Sequence, residues 1–455
     1  MEDYAQFLST KLAMPQHSGI QATTMPERLF PFQREVTSWA CERGRNALFL
    51  DTGLGKTACQ LTWAANIAQQ KGDVLILAPL AVSQQTVNEG ALLDIPVTLC
   101  RTGSDVRPGI NITNYERLHH FNTAHVVGIV LDESSIIKSH DGKTRNALIE
   151  RFRDTPYRLC CTATPSPNSF MELGNHSEFL GIMTRSEMLA TYFTHDGGNT
   201  SEWRLKGHGQ EHYWRWIASW AVALNHPKHL GDMTPGYDLP PLERHMHQLS
   251  LDVAHEGLTL FPMEARTLQE QRAARRAGLD TRVAATIDTV KTEPNESWLI
   301  WCELNDEADI LAKSIPDAIQ IAGRDSIDEK EQRLLDFMSG KIRVLVSKPS
   351  ITGWGCNMQH CARMAFVGIN NSFESLYQAV RRCWRFGQRR SVHAHFFYTN
   401  IEAAIVRNLA RKEQEAEAMH TAMTQAVLSQ MHWQKMHAAY TPTNYMQIPS
   451  WLVSE

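Results

Sequence analysis

The chain has 455 residues, a formal net charge of -4 and 43% hydrophobic residues. That length asks for about two to four domains, and the apolar share suffices for packed cores, which excludes wholesale disorder. The mild acidity excludes a histone-like coat of positive charge and leaves room for a local basic groove.

No apolar run approaches the roughly 20 residues that cross a bilayer. The acidic start is not followed by an apolar stretch, so no secretory signal is expected and the cytoplasm is the expected location. The 9 cysteines are odd in number and none shows CxxC spacing, so neither a disulfide framework nor a zinc ribbon is expected. Cys356, His360 and Cys361 cluster without a fourth ligand, and the cysteines read as buried thiols on a packed face.

Taken in chain order, the runs Asn46–Asp51, Val74–Pro79, Asn111–Tyr115, Val126–Asp132 and Arg158–Ala163 read as strands separated by helical stretches. The same rhythm returns at Trp298–Cys302, Arg343–Ser347, Ala365–Ile369 and His393–Tyr398. Continuous apolar strands alternating with helices predict parallel sheets covered on both faces, hence two α/β lobes. Between them the chain turns rich in Trp, His, Gly and Pro. Tyr213–Leu224 reads as a helix with Trp216, Ile217, Trp220 and Leu224 on one face, and both tryptophans read as core. Gly236 and Pro240–Pro241 mark the exit of this segment. Past Thr399, the spacing of Ile401, Ile405 and Leu409 predicts a long amphipathic helix, followed by a loose tail of fifteen residues. The expected division is an extension over 1–24, a first lobe over 25–183, a helical insertion and connector over 184–250, a second lobe over 251–412, and a terminal helix and tail over 413–455.

Asp51-Thr52-Gly53-Leu54-Gly55-Lys56-Thr57 follows the first strand and opens a helix, the context a phosphate-binding loop requires. Glycines let the backbone N–H groups from Thr52 to Gly55 wrap phosphates, and the helix start adds a favourable dipole. Lys56 would reach the β and γ phosphates of ATP and Thr57 would hold Mg²⁺. Leu50 stands where the longer form of the motif has glycine. A carboxylate pair, Asp132-Glu133, ends a neighbouring strand. Asp132 would bind Mg²⁺ and Glu133 would position and deprotonate the attacking water. Alone, that pair could equally be an acidic cap on the next helix.

Further segments fall in a fixed order. Leu29–Gln33, Ile76–Pro79, Ile112–Glu116, the basic helix after Asp132-Glu133, and Thr162-Ala163-Thr164-Pro165 with Asn168 occupy the first half. Lys348–Ser350, Gly353–Asn357 and Gln378–Gln388 occupy the second. Together they resemble the Snf-type ATPases of helicase superfamily two, in a short form similar to phage or prophage members. The resemblance implies two tandem RecA-like P-loop domains with parallel sheets, a small helical insertion and a C-terminal helix. It implies that Gln33 reads adenine, that Gly353 and Gln388 line the nucleotide cleft, and that Thr162 and Thr164 couple hydrolysis to lobe movement. Arg385, with Arg382 beside it, would act as the arginine finger on the γ-phosphate. Pro79, Thr113, Lys348 and Ser350 would touch nucleic acid. The family commonly has Trp near Gln84-Gln85-Thr86 and an acid at the position of Arg381, so the chain departs from it at both places.

The basic residues Lys143, Arg145, Arg151, Arg153, Arg272, Arg275, Arg276, Lys341 and Arg343 are further candidates for phosphate contacts. They predict one basic cleft face on an acidic body. Arg381, Arg385 and Gln388 would share a helical face. The resemblance implies an ATP-driven translocase on double-stranded DNA, with protein partners in replication, recombination or restriction, working in a bacterial host cytoplasm if phage-encoded. A strand-separating helicase and an ATP-gated DNA clamp with little turnover are the alternatives.

Overall fold

In the computed structural model, residues 18–79, 82–196, 199–251, 273, 275–352 and 357–435 are described. The first sheet comprises β1 (Arg45–Leu50), β2 (Val74–Ala78), β3 (Val97–Leu99), β4 (Ile110–Asn114), β5 (Gly128–Asp132), β6 (Tyr157–Cys161) and β9 (Ala221–Leu224). Their order is β3-β4-β2-β5-β6-β1-β9, and every pair is parallel. Successive side chains alternate faces, which is why both faces need apolar cover. Leu48 and Leu50 of β1 enter one core, while Ala47 and Phe49 enter the other. The helices α1 (Pro31–Arg43), α2 (Lys56–Gln70), α3 (Ser83–Leu92), α4 (Lys143–Arg151) and α5 (Leu173–Leu180) flank this sheet.

The second sheet comprises β10 (Leu242–Leu249), β11 (Trp298–Cys302), β12 (Ala318–Gln320), β13 (Val344–Ser347), β14 (Arg363–Val367) and β15 (Val392–Thr399). Their order is β10-β15-β14-β11-β13-β12, again wholly parallel. Leu299 and Trp301 face one core, and Trp298, Ile300 and Cys302 the other. The two sheets form tandem RecA-like lobes: the alternating pattern predicted two α/β lobes with parallel sheets, and the resemblance implied their RecA-like form.

The segment 184–250 differs from the expected helical insertion. A hairpin of β7 (Phe193–Asp196) and β8 (Asn199–Leu205) precedes the helix α6 (Gln210–Trp220). The helix stops at Trp220 because Ala221–Leu224 pairs with β1 as an edge strand. Trp216 and Trp220 are buried in the lobe-one core, so they are packing residues. Leu242–Leu249 adds the outer strand of the second sheet. The helices α7 (Leu279–Thr292), α8 (Asn305–Ser314), α9 (Ile327–Met338) and α10 (Phe373–Val380) serve lobe two. The last helix, α11 (Ala403–Lys435), begins on lobe two through Ile405 and Leu409. It ends on lobe one through Met419, Met423 and Val427. The expected tail, most of the 1–24 extension, Arg272 and the segment Gly353–Cys356 lie outside the described residues.

Candidate active site

The phosphate loop leaves β1 at Asp51 and enters α2 at Lys56. Gly53 and Gly55 have φ of 95° and 77°, left-handed values that glycine adopts without strain. Lys56 Nζ donates to the Leu50 carbonyl at 2.8 Å. Burial lowers the Lys56 pKa, while Glu133 and Asp132 act to raise it. Gln33 Nε2 donates to the Leu54 carbonyl at 3.0 Å, and its Oε1 accepts from Phe30 N at 3.0 Å. The expected adenine reader therefore braces the loop backbone with its amide N–H and caps the start of its own helix with its amide oxygen.

Asp132 ends β5, and Glu133 follows with φ of 58°. Burial raises both carboxyl pKa values; Lys56 and Thr162 pull Glu133 back down. Thr162 Oγ1 donates to Glu133 Oε1 at 2.6 Å and accepts from Thr164 N at 3.1 Å. Tyr115 OH donates to the Asp132 carbonyl at 2.8 Å. Beneath the pair, Ser134 Oγ and His176 Nε2 are 3.1 Å apart. Thr57 and Asp132 supply hard oxygen donors beside two buried acids, a set that fits Mg²⁺. Glu89 of α3, which motif reading missed, also lies here. Burial, then Asp132, pushes its carboxyl up to about 7, against Arg385 and the Thr57 hydroxyl. Its signal was a glutamate three positions past the departing Gln84-Gln85-Thr86 segment.

Lobe two faces this loop with a turn. α10 stops at Val380, so Arg381–Gln388 does not form the expected helical face. Arg385 is close enough to Lys56 and Glu89 to shift their charge states. Arg382 points inward instead: its Nε and Nη2 donate to the Gln378 carbonyl and Oε1 at 2.9 and 2.7 Å. Gln388 ties the turn, with Nε2 donating to the Cys361 and Cys383 carbonyls at 3.1 and 3.2 Å. Arg381 and Tyr377 both bind Asp51 at the base of the phosphate loop. Lys138 pairs with Glu374 across the same gap. Phe386 packs over Gly53, where an added Cβ would meet the Phe386 Cβ at 3.1 Å. Its ring lies 4.6 Å from Tyr237 and 6.3 Å from Phe30.

The nucleic-acid candidates divide. Pro79 follows β2, Thr113 lies on β4, and Lys348 and Ser350 follow β13, so all sit toward the same strand ends as Lys56 and Asp132. The Thr113 hydroxyl is buried without a hydrogen-bond partner. Lys143 is exposed at the start of α4. Arg145 is a correction: it is buried, pairs with Glu178 and donates from Nε to Asn175 Oδ1 at 3.1 Å. Arg151 is held by the Phe121 carbonyl and Thr123, Arg343 by the Pro316 carbonyl, Lys341 by Asp336 and Arg275 by Glu303. Among the described residues, Arg145, Arg151, Arg275, Lys341 and Arg343 are thus tied up locally, while Lys143, Arg153 and Arg276 are exposed.

The DEAD/DEAH box helicase family matches residues 30–173, and the helicase conserved C-terminal domain matches residues 281–387. No curated protein matches the chain. Among solved structures, Dbp5 of S. cerevisiae bound to RNA and ADP BeF3 has a TM-score of 0.52 at 11% identity. The alignment covers 88% of this chain and 93% of that one. A variant of the same yeast protein, also bound to RNA and ADP BeF3, has a TM-score of 0.50 at 12% identity, covering 84% and 89%. At such identities the likeness is one of fold. Both helicase domains, in order, on two RecA-like lobes make the chain a nucleic-acid-dependent ATPase of helicase superfamily two.

Proposed function

We propose that the chain is an ATP-driven translocase that moves on double-stranded DNA without separating its strands. The observation that carries the motor reading is the split site. Lys56, Thr57, Asp132 and Glu133 belong to lobe one, and Arg385 of lobe two acts electrostatically on Lys56 and on the neighbouring Glu89. A clamp that only bound ATP would need neither the buried Glu133 nor a cation delivered across the gap.

Lys56 would hold the β and γ phosphates, and Thr57 and Asp132 would hold Mg²⁺, which would screen phosphate charge. Glu133, kept in place by Thr162, orients the attacking water and takes its proton. Raised by burial, its pKa moves toward working pH, which suits a base. Arg385 stabilises charge on the transferred phosphoryl group. Loss of the γ-phosphate removes that attraction, and the Thr162–Thr164 link passes the change from Glu133 into the chain leading to α5.

The duplex DNA part rests on the Snf-type motif order, above all the Gln378–Gln388 run. Phosphates are gripped by exposed basic residues such as Lys143 and by hydroxyl and backbone N–H groups near Ser350. The working place is the cytoplasm, that of a bacterial host if the chain is phage-encoded, and partners acting in replication, recombination or restriction supply any nuclease step. ATP hydrolysis measured with duplex DNA, single-stranded DNA, duplex RNA and single-stranded RNA tests the track. Stimulation by duplex DNA with triplex displacement supports the proposal; stimulation by RNA alone overturns it.

A further inference from the structure

Arg381 stands where an acid is common in Snf-type sequences, and the structure gives it a partner. It forms an ion pair with Asp51, the residue that launches the phosphate loop. Both side chains are nearly sealed from solvent, at 8% and 9% exposure. Tyr377, one turn earlier on α10, donates its hydroxyl to the same carboxylate. Thr52 N donates to Asp51 Oδ1 at 2.5 Å, so the carboxylate also shapes the first peptide of the loop. The guanidinium is pinned from its own side as well. It lies 4.6 Å from the Trp384 ring and 5.4 Å from the Tyr377 ring, and Nη1 donates to the Trp384 carbonyl at 3.3 Å.

We propose that Arg381 and Tyr377 are positioning residues for ATP hydrolysis: by gripping Asp51 they dock the arginine turn on the phosphate loop and so place Arg385. The inference deepens the ATPase reading and rests on it. The physical reason is closure. With the lobes apart, Asp51 and Arg381 are both hydrated. With the lobes together, each is buried and the other is its opposite charge, so removing one partner leaves a buried charge without its counter-ion. The pair therefore favours one docking register, and in that register Arg385 stands four residues from a fixed point. Arg382, hydrogen-bonded to Gln378 of its own lobe, cannot perform this task.

The experiment measures steady-state ATP hydrolysis with duplex DNA and with RNA, using wild type, Arg381→Gln, Arg381→Lys, Asp51→Asn, Tyr377→Phe and the double variant Asp51→Asn/Arg381→Gln. Affinity for a fluorescent ADP analogue and melting temperature are measured alongside. The expected result is a fall in kcat of about tenfold or more for Arg381→Gln and for Asp51→Asn, with KM for ATP and ADP affinity within about threefold. Arg381→Lys retains most of kcat, Tyr377→Phe loses about threefold, and the double variant is no worse than either single one. Independent, multiplying losses overturn the proposal, as does unchanged kcat in Arg381→Gln. Faster hydrolysis without nucleic acid also overturns it, since the pair would then be a lock. Should Arg381→Gln fail to fold, Tyr377→Phe and Arg381→Lys carry the same comparison with Asp51→Asn. A wild type that hydrolyses no ATP with any nucleic acid refutes the ATPase reading itself, a different failure.

Discussion

Glu133 occupies a left-handed backbone position, a conformation that a residue with a Cβ adopts at a cost. Thr162 holds its carboxylate, and Lys56 supplies the nearby positive charge. Replacing Glu133 with Gln preserves shape and removes the base. Phosphate release should fall by about 10²–10⁴-fold, while nucleotide binding, followed by fluorescence, persists. Arg385→Ala should cost about 10³-fold or more in kcat, again with nucleotide bound. Glu89 offers a pH test. Its folded pKa of about 7 lies above the ordinary 4.5, so its contribution to stability is present below pH 4.5 and is lost as pH rises through 7. Glu89→Gln should therefore raise the melting temperature relative to wild type more at pH 8 than at pH 5. An equal offset at both values would contradict the assignment. The meeting of Lys56, Asp132 and Glu133 was legible in the sequence because each stands at or just past a strand end of one sheet. Glu89 and Asp51 were not legible as site groups. Asp51 meets Arg381 across 330 positions of chain, and no local spacing records that meeting.

Among the elements, strands of both lobes were the most readable, since β2, β5, β11 and β13 are short apolar runs buried on both faces. The Tyr213–Leu224 pattern misled because its last four residues suit a strand or a helix equally, and pairing with β1 decided the matter. Trp220 is fully buried at that junction, with its ring 6.2 Å from Phe49 and 5.5 Å from Trp216. Trp220→Ala should destabilise lobe one by about 3–5 kcal/mol in urea unfolding. The outer edge of lobe two carries a ladder of rings that motif spacing could not show. His245 Nε2 meets His393 Nδ1, and His247 Nε2 meets His395 Nδ1, both at 3.0 Å. Burial, then the facing His245, His247, His393 and Arg363, lowers the His395 pKa from 6.5 to about 3. Its folded form stays neutral where the unfolded chain would take a proton, so stability is present above pH 6.5 and is lost as pH falls toward 3. His395→Phe should lose less melting temperature than wild type between pH 7 and 4.5. A matching loss would count against this source of acid sensitivity.

Among the described residues, the two lobes meet through the ion pairs Lys138–Glu374 and Asp51–Arg381, the packing of Phe386 over Gly53, and one long helix. Lys412 marks the crossing: its Nζ donates to Asn371 O in lobe two at 3.0 Å and to Asn168 Oδ1 in lobe one at 3.2 Å. Farther along, Thr424 Oγ1 donates to the carbonyl of Ala223 in β9 at 3.1 Å. Replacing Met419 and Met423 with Ala should weaken the lobe-one seat by about 2–5 kcal/mol per site. Calorimetry should then resolve two melting steps where wild type shows one; a single step shifted downward would mean that the helix does not couple the lobes.

The α11 helix also constrains how a stroke can run. Its lobe-two anchors and its far lobe-one anchor are Ile405, Leu409 and Val427, and a straight helix places the first and last about 33 Å apart. A rod seated in both bodies resists pulling them apart, because separation would strip an apolar seat. It tolerates torsion far better. For the proposed motor this makes the expected stroke a swivel about a shared axle, one that can part Arg381 from Asp51 while the helix keeps its seat on both lobes.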